Sequence, residues 1–221
     1  MPFLQTYYNT TIASIETEIY IETVNDGDKG IENGTYNNCT ITFETVTSIT
    51  GFGIFNGTYD NCTITFKTLS NSGDGIKNGT YNNCTITFET VNAFGISNGT
   101  YNNCTFTIKT VNSGTDCFNS VTLNNCTIYI EALSGDGING DLKNCTITIK
   151  TLISGGKGIG IGTYDNCTIT IKTVRGYGIF SGIFDNCTII FETVTSSGRG
   201  VDSGTYNNCT FAIETVNGGI V

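Results

Sequence analysis

One block recurs along the whole chain: NGTYNNCTITFETV at Asn33 to Val46 returns as NGTYDNCTITFKTL at Asn56 to Leu69 and as NGTYNNCTITFET at Asn78 to Thr90. A chain that repeats itself at such a period is constrained to stack its own copies, since no single copy can bury a private core. Nine cysteines mark the register: Cys39, Cys62, Cys84, Cys104, Cys126, Cys145, Cys167, Cys187 and Cys209, spaced by 19 to 23 residues. Nearly all the variation falls in one loop after the Val46 position, while the body of the unit keeps its count. A degenerate copy opens the chain, where Ile19 to Val24 places Thr17 in the cysteine column.

Within the unit, CTITFE alternates with period two, pointing Cys39, Ile41 and Phe43 one way and Thr40, Thr42 and Glu44 the other. This predicts a strand, and the β-branched content together with frequent Gly and Asn excludes a helix. About twenty residues suffice to wrap once around a shared core as two or three short parallel strands. The expected fold is therefore all-β: a single-stranded parallel β-helix, right-handed, of ten rungs. At ~4.8 Å per rung the rod would be roughly 50 Å long. Residues 1–24 form a degenerate N-terminal rung and docking strand, 25–216 the regular rungs, and 217–221 an incomplete C-terminal rung.

The columns account for the composition. The Tyr36 column accepts Leu123, Leu142 and Phe184, so it requires an apolar body and predicts ring stacking. Asn38, Asn61, Asn83, Asn103, Asn125, Asn144, Asn166, Asn186 and Asn208 form an unbroken column before the cysteines. Placed inward at a bend, these amides would pass hydrogen bonds from rung to rung. Such an asparagine column, with aliphatic and aromatic stacks on rungs of this size, resembles the right-handed parallel β-helix of pectate lyases and phage tailspikes. The overall pattern also resembles self-stacking surface filaments of viruses of hyperthermophilic archaea, which implies a filament subunit on a virion surface.

Other classes are excluded by residue type. Ten basic against nineteen acidic side chains give a net charge of -9, so the field repels nucleic acid. There is no histidine, which removes imidazole-based catalysis and the common zinc sites. No apolar run is long enough for a membrane span, and Met1 to Thr6 lack the features of a secretory leader. Cβ atoms ~4.8 Å apart along a column are wider than the ~3.5–4.5 Å of a relaxed disulfide, so the thiols are expected to be buried, reduced fillers. Cys117, the tenth, stands where other copies carry glycine.

Four surface features are candidates for function. Outward Glu44, Lys67, Glu89, Lys109, Glu131 and Lys150 alternate in sign and should pair up the rod, setting register. Beside them run the Thr40 and Thr42 columns, the second broken by Tyr129, Ile190 and Ala212. They resemble the ice-binding face of threonine-rich β-solenoid antifreeze proteins, which implies ice binding as an alternative role. The variable loops, with Asp26, Asp28, Asp74, Asp116, Asp136, Arg175 and Arg199, are where a glycan or cell-surface receptor would bind. Asn33, Asn56, Asn78 and Asn98, in NGT turns, are candidate glycosylation acceptors, whereas the inward Asn of each NCT is a poor one. The polysaccharide lyases of the resembled fold imply clustered acids for calcium and a basic catalytic residue. No such cluster is evident in the sequence, so neither an enzymatic role nor a cofactor or metal is expected.

The ends carry the last signal. FAIETVNGGIV places Ile220 and Val221 where another rung would begin, while Phe3, Leu4, Tyr7 and Tyr8 make an apolar, strand-prone partial rung. One end starts what the other could complete. The expected partner is therefore the protein itself, in a head-to-tail filament at the virion surface or outside the cell.

Overall fold

The computed structural model describes residues 10–12, 17–25, 27–47, 50–70, 73–92, 94–112, 116–153 and 155–218. It is a parallel β-solenoid of about nine turns, with no helix among the described residues. One sheet holds ten strands in chain order, from Thr17–Val24 and Cys39–Thr47 up to Thr210–Asn217. The other holds sixteen shorter strands in two legs. One leg runs through Lys29–Ile31, Phe52–Ile54 and Asp74–Ile76, and the other through Gly34–Asn37, Thr58–Asp60 and Thr80–Asn82. The two legs fuse into single strands at Asp116–Asn124, Asp136–Lys143 and Lys157–Asp165, then separate again.

Register follows the repeat. Ile41 pairs with Ile64, Phe43 with Phe66 and Val46 with Leu69, and in the opening copy Thr17 pairs with Cys39. Alternation holds from Cys39 to Phe43 and then breaks: Glu44 and Thr45 are both partly exposed before Val46 turns inward. The bend there lets one strand cover two sides of the core. Inside, Phe43, Phe66 and Phe88 stack with centroids 4.6 and 4.8 Å apart, and Tyr36, Tyr59, Tyr81 and Tyr101 stack at 4.7–5.0 Å. Each ring repeats nearly parallel on the ring one rung away, the offset arrangement that aromatic faces favour. Buried phenols in this stack are tied to main chain, Tyr59 Oη donating to Asn56 O at 3.1 Å and Tyr81 Oη to Asn78 O at 3.0 Å, whereas the Tyr101 hydroxyl is buried without a hydrogen-bond partner among the described residues.

The asparagine column is not inward, as the sequence suggested. All nine of these residues are exposed, with φ between 50° and 55°. The chain turns a sharp corner immediately before each cysteine, and the left-handed region it must adopt there is tolerated by Asn but by few other side chains. The ladder bonding is real but lies on the outer surface: Asn166 Nδ2 donates to Asn144 Oδ1 at 2.7 Å, and Asn144 Nδ2 to Asn125 Oδ1 at 3.1 Å. A second outer ladder runs beside it, where Asn82 Nδ2 donates to Asp60 Oδ1 at 2.7 Å and Asn102 Nδ2 to Asn82 Oδ1 at 2.9 Å. Main-chain bonds continue through the corner, Asn61 N donating to Asn82 O at 2.9 Å.

The glycine before each core isoleucine has a packing cause. A Cβ on Gly53 would lie 2.4 Å from the Phe66 ring and 2.7 Å from Gly75 O. Cys117 takes this position in one rung and is buried, which nothing in the structure explains.

Two stability measurements check this account. Gly53→Ala is expected to lower unfolding free energy by about 1–3 kcal/mol, because it drives a methyl group into a filled core. Asn61→Gly should be close to neutral, while Asn61→Ala should cost about 1–2 kcal/mol, the penalty of the left-handed conformation. Equal losses for the two Asn61 variants would show that the amide ladder, not the backbone, fixes the residue.

Candidate functional site

Three regions concentrate what this molecule could do: its C-terminal layer, the outer face of the ten-stranded sheet, and a cleft at the corner between the two legs of short strands.

At the C-terminal layer, strand Thr210–Asn217 pairs with Thr188–Thr195 and, among the described residues, on that side only. Its core-column side chains are bare: Phe211 is 42% and Val216 46% exposed, and Tyr206, Cys209 and Ile213 are half-buried. Elsewhere the same columns are closed. At the opposite end Ile19, Ile21 and Val24 are only 1–4% exposed, although strand Thr17–Val24 also pairs on one side only among the described residues. The two ends are therefore unlike: an apolar layer is open at one and covered at the other. Phe3, Leu4, Tyr7, Tyr8, Ile220 and Val221, the predicted assembly residues, lie outside the described residues.

On the outer face of the ten-stranded sheet, the Thr40 column is unbroken from Thr40 through Thr63 and Thr85 to Thr210. The charged column pairs as its alternation predicts. Lys67 meets Glu44, Lys109 lies 3.0 Å from Glu89 and Lys150 2.9 Å from Glu131, while Lys172 reaches Glu192 at 3.3 Å. The lysine partners hold the Glu44 and Glu131 carboxyls below their ordinary range. These are exposed, solvent-screened pairs, so they add little to stability and mainly oppose register slip.

The cleft was not anticipated. Most copies turn this corner with Asn-Gly-Thr-Tyr or a close variant, but three consecutive rungs read NSVTL, NGDL and GIGTY. In the middle one, Ile138 to Leu142 spans five residues against six from Ile96 to Tyr101, and the register slips at both of its neighbours. The wall steps inward and leaves a cleft of about 510 Å³. Lys157 Nζ is fixed there, 2.8 Å from Asp136 Oδ2 and 4.5 Å from the Phe180 ring centroid. Asn139 Oδ1 accepts from Ile161 N at 2.8 Å, and Asp141 Oδ1 from Thr163 N at 3.2 Å. Ser120, with φ at +56°, and Ile161, 68% exposed, complete the rim. Beside the cleft, burial and then the charge of Asp136 raise the Asp116 carboxyl above its ordinary range. The sequence signal was present, in three successive departures from an otherwise strict corner. Of the loop residues offered as glycan contacts, Asp136 lines the cleft.

The thiols are structural in position. All ten are free and nine are buried. From Cys62 onward each column thiol reaches a carbonyl of the preceding rung as well as one of its own: Cys84 Sγ lies 3.3 Å from Tyr59 O and 3.4 Å from Asn82 O, alternative acceptors for its single proton. Burial, and then the neighbouring Cys62 sulfur, push the Cys39 thiol up to about 11, and burial raises Cys117 further. Among the described residues no group of three or more Cys, Asp or Glu is placed to hold a metal ion, and no helix is long and apolar enough to cross a membrane.

The glycosylation candidates fall differently from expectation. Asn33, Asn56 and Asn78 are half-buried and Asn98 is exposed, while the asparagine of every NCT is exposed as well. Inward burial is therefore no bar to modification at the NCT column. Comparison with protein families, curated proteins and solved structures returned no match to this chain.

Thiol labelling checks the burial. In the native protein iodoacetamide is expected to modify Cys209 alone, at the open layer, and to reach all ten cysteines only after unfolding. Native labelling at several column positions would show that the core opens.

Proposed function

We propose that the protein is a structural subunit, not a catalyst, which adds copies of itself end to end to form an extracellular or virion-surface filament. The observation that supports this reading is the C-terminal layer, where Phe211, Ile213 and Val216 present an apolar surface beside a strand edge that no other described residue pairs. Such an edge is a template for another strand, and its columns are spaced to continue into a further rung. The complementary surface in this reading is the N-terminal end of a second copy, which is unlike the C-terminal layer because Ile19, Ile21 and Val24 are already covered there. Contact between two different surfaces does not close on itself, so it propagates, whereas contact between two C-terminal layers would stop at a dimer.

Electron microscopy over a range of protein concentration tests the proposal. The wild-type protein should form rods many times longer than the roughly 50 Å of a single solenoid. A Phe211→Lys, Val216→Lys double variant should remain as short particles. Its thermal stability should be nearly unchanged, since both side chains are already exposed and surface substitutions usually act within about 0.5 kcal/mol. Short, uniform wild-type particles at high concentration, or a discrete dimer, would refute the filament.

A further inference from the structure

We propose that the corner cleft is a binding site for an uncharged sugar unit, separate from the end layer and reaching the loop residue Asp136. Three observations carry it. The first is placement: a regular solenoid has no structural need to abandon its corner sequence, yet three adjacent rungs do so together and the wall steps inward there, to a volume of about 510 Å³. That size is within the range of small-molecule sites, roughly 300–1,000 Å³.

The second is chemistry. Asn119, Ser120, Thr122, Asn139 and Asp141 supply amide, hydroxyl and carboxylate groups to the lining, and Ile161 and Phe180 supply apolar surface. A ring with hydroxyls around its edge and C–H groups on its faces satisfies both kinds of group at once. The groups are held rather than loose: Asn139 and Asp141 each accept a main-chain N–H of the next rung, and Lys157 is pinned by Asp136 and Phe180. Backbone approach is close as well, since a Cβ on Gly160 would fall 1.8 Å from Asn139 Oδ1.

The third is charge. Asp136 and Asp141 face one ammonium group, Lys157, already committed to Asp136, in a protein of net charge -9. An acidic sugar would meet excess negative charge with no free cation to receive it. The cleft therefore selects against uronates, in contrast to the acidic polymers that a likeness to pectate lyases would suggest.

The test is titration calorimetry on the full chain with three hexasaccharides: maltohexaose and the N-acetylglucosamine hexamer as neutral probes, and oligogalacturonate as the acidic one. Binding of at least one neutral probe is expected, weakened tenfold or more by Asp141→Ala and by Asn139→Ala. Thr65→Ala, on the outer face of the other sheet, should leave it unchanged. Circular dichroism melting on each variant separates loss of binding from loss of fold, and Phe180→Ala provides a second cleft variant should either of the first two fail to fold. Binding of neither neutral probe, equal binding of oligogalacturonate, or binding that the cleft variants do not alter would overturn the proposal. None of these results depends on whether the rods assemble end to end.

Discussion

The in-register parallel hydrogen-bond ladder fixes everything else in this molecule. Once Ile41 is paired with Ile64 and Tyr59 with Tyr81, each side chain must sit about 4.8 Å from its own equivalent, and no position can be chosen alone. That spacing suits rings stacked face to face, amides bonded in files and carboxylates alternating with ammonium groups. It suits disulfides poorly. The column thiols from Cys62 onward take another course, each within reach of a carbonyl of the preceding rung, so that sulfur reinforces the stack by hydrogen bonding.

The fold was legible because periodicity and ladder carry the same information. The cysteine spacing gave the circumference, and alternation in CTITFE gave the buried face, with Cys39, Ile41, Phe43 and Val46 inside as read. What failed was the direction of a turn residue. An unbroken polar column such as that of Asn38 suggests an internal network. The same column arises if every rung needs a left-handed residue at one corner, and a pattern of identities cannot separate these causes. Backbone conformation decides, and it is not written in hydrophobic periodicity.

The candidate sites were less legible for a related reason. A repeat directs attention to what is constant, and the cleft is made by what is not. The change from Gly99 to Val121, the shortened turn at Asn139 and Gly140, and the exposed Ile161 are separately unremarkable substitutions. Only their adjacency in the stack, some twenty residues apart in sequence, brings them together around Lys157. The Phe180 ring shows the same effect, since its role beside Lys157 depends on a neighbour one rung away.

In a solenoid each coil touches only the coils above and below it, so cohesion is local and loss of structure spreads by steps. The bare layer at Thr210–Asn217 has one neighbour where every interior coil has two, and fraying should begin there and move inward. The irregular coils around Ser120 and Gly140 sit far from that margin, with regular coils on both sides. Their imperfect registry is thus clamped from two directions, and the middle of the rod is the place where departures from the pattern are least able to unravel it.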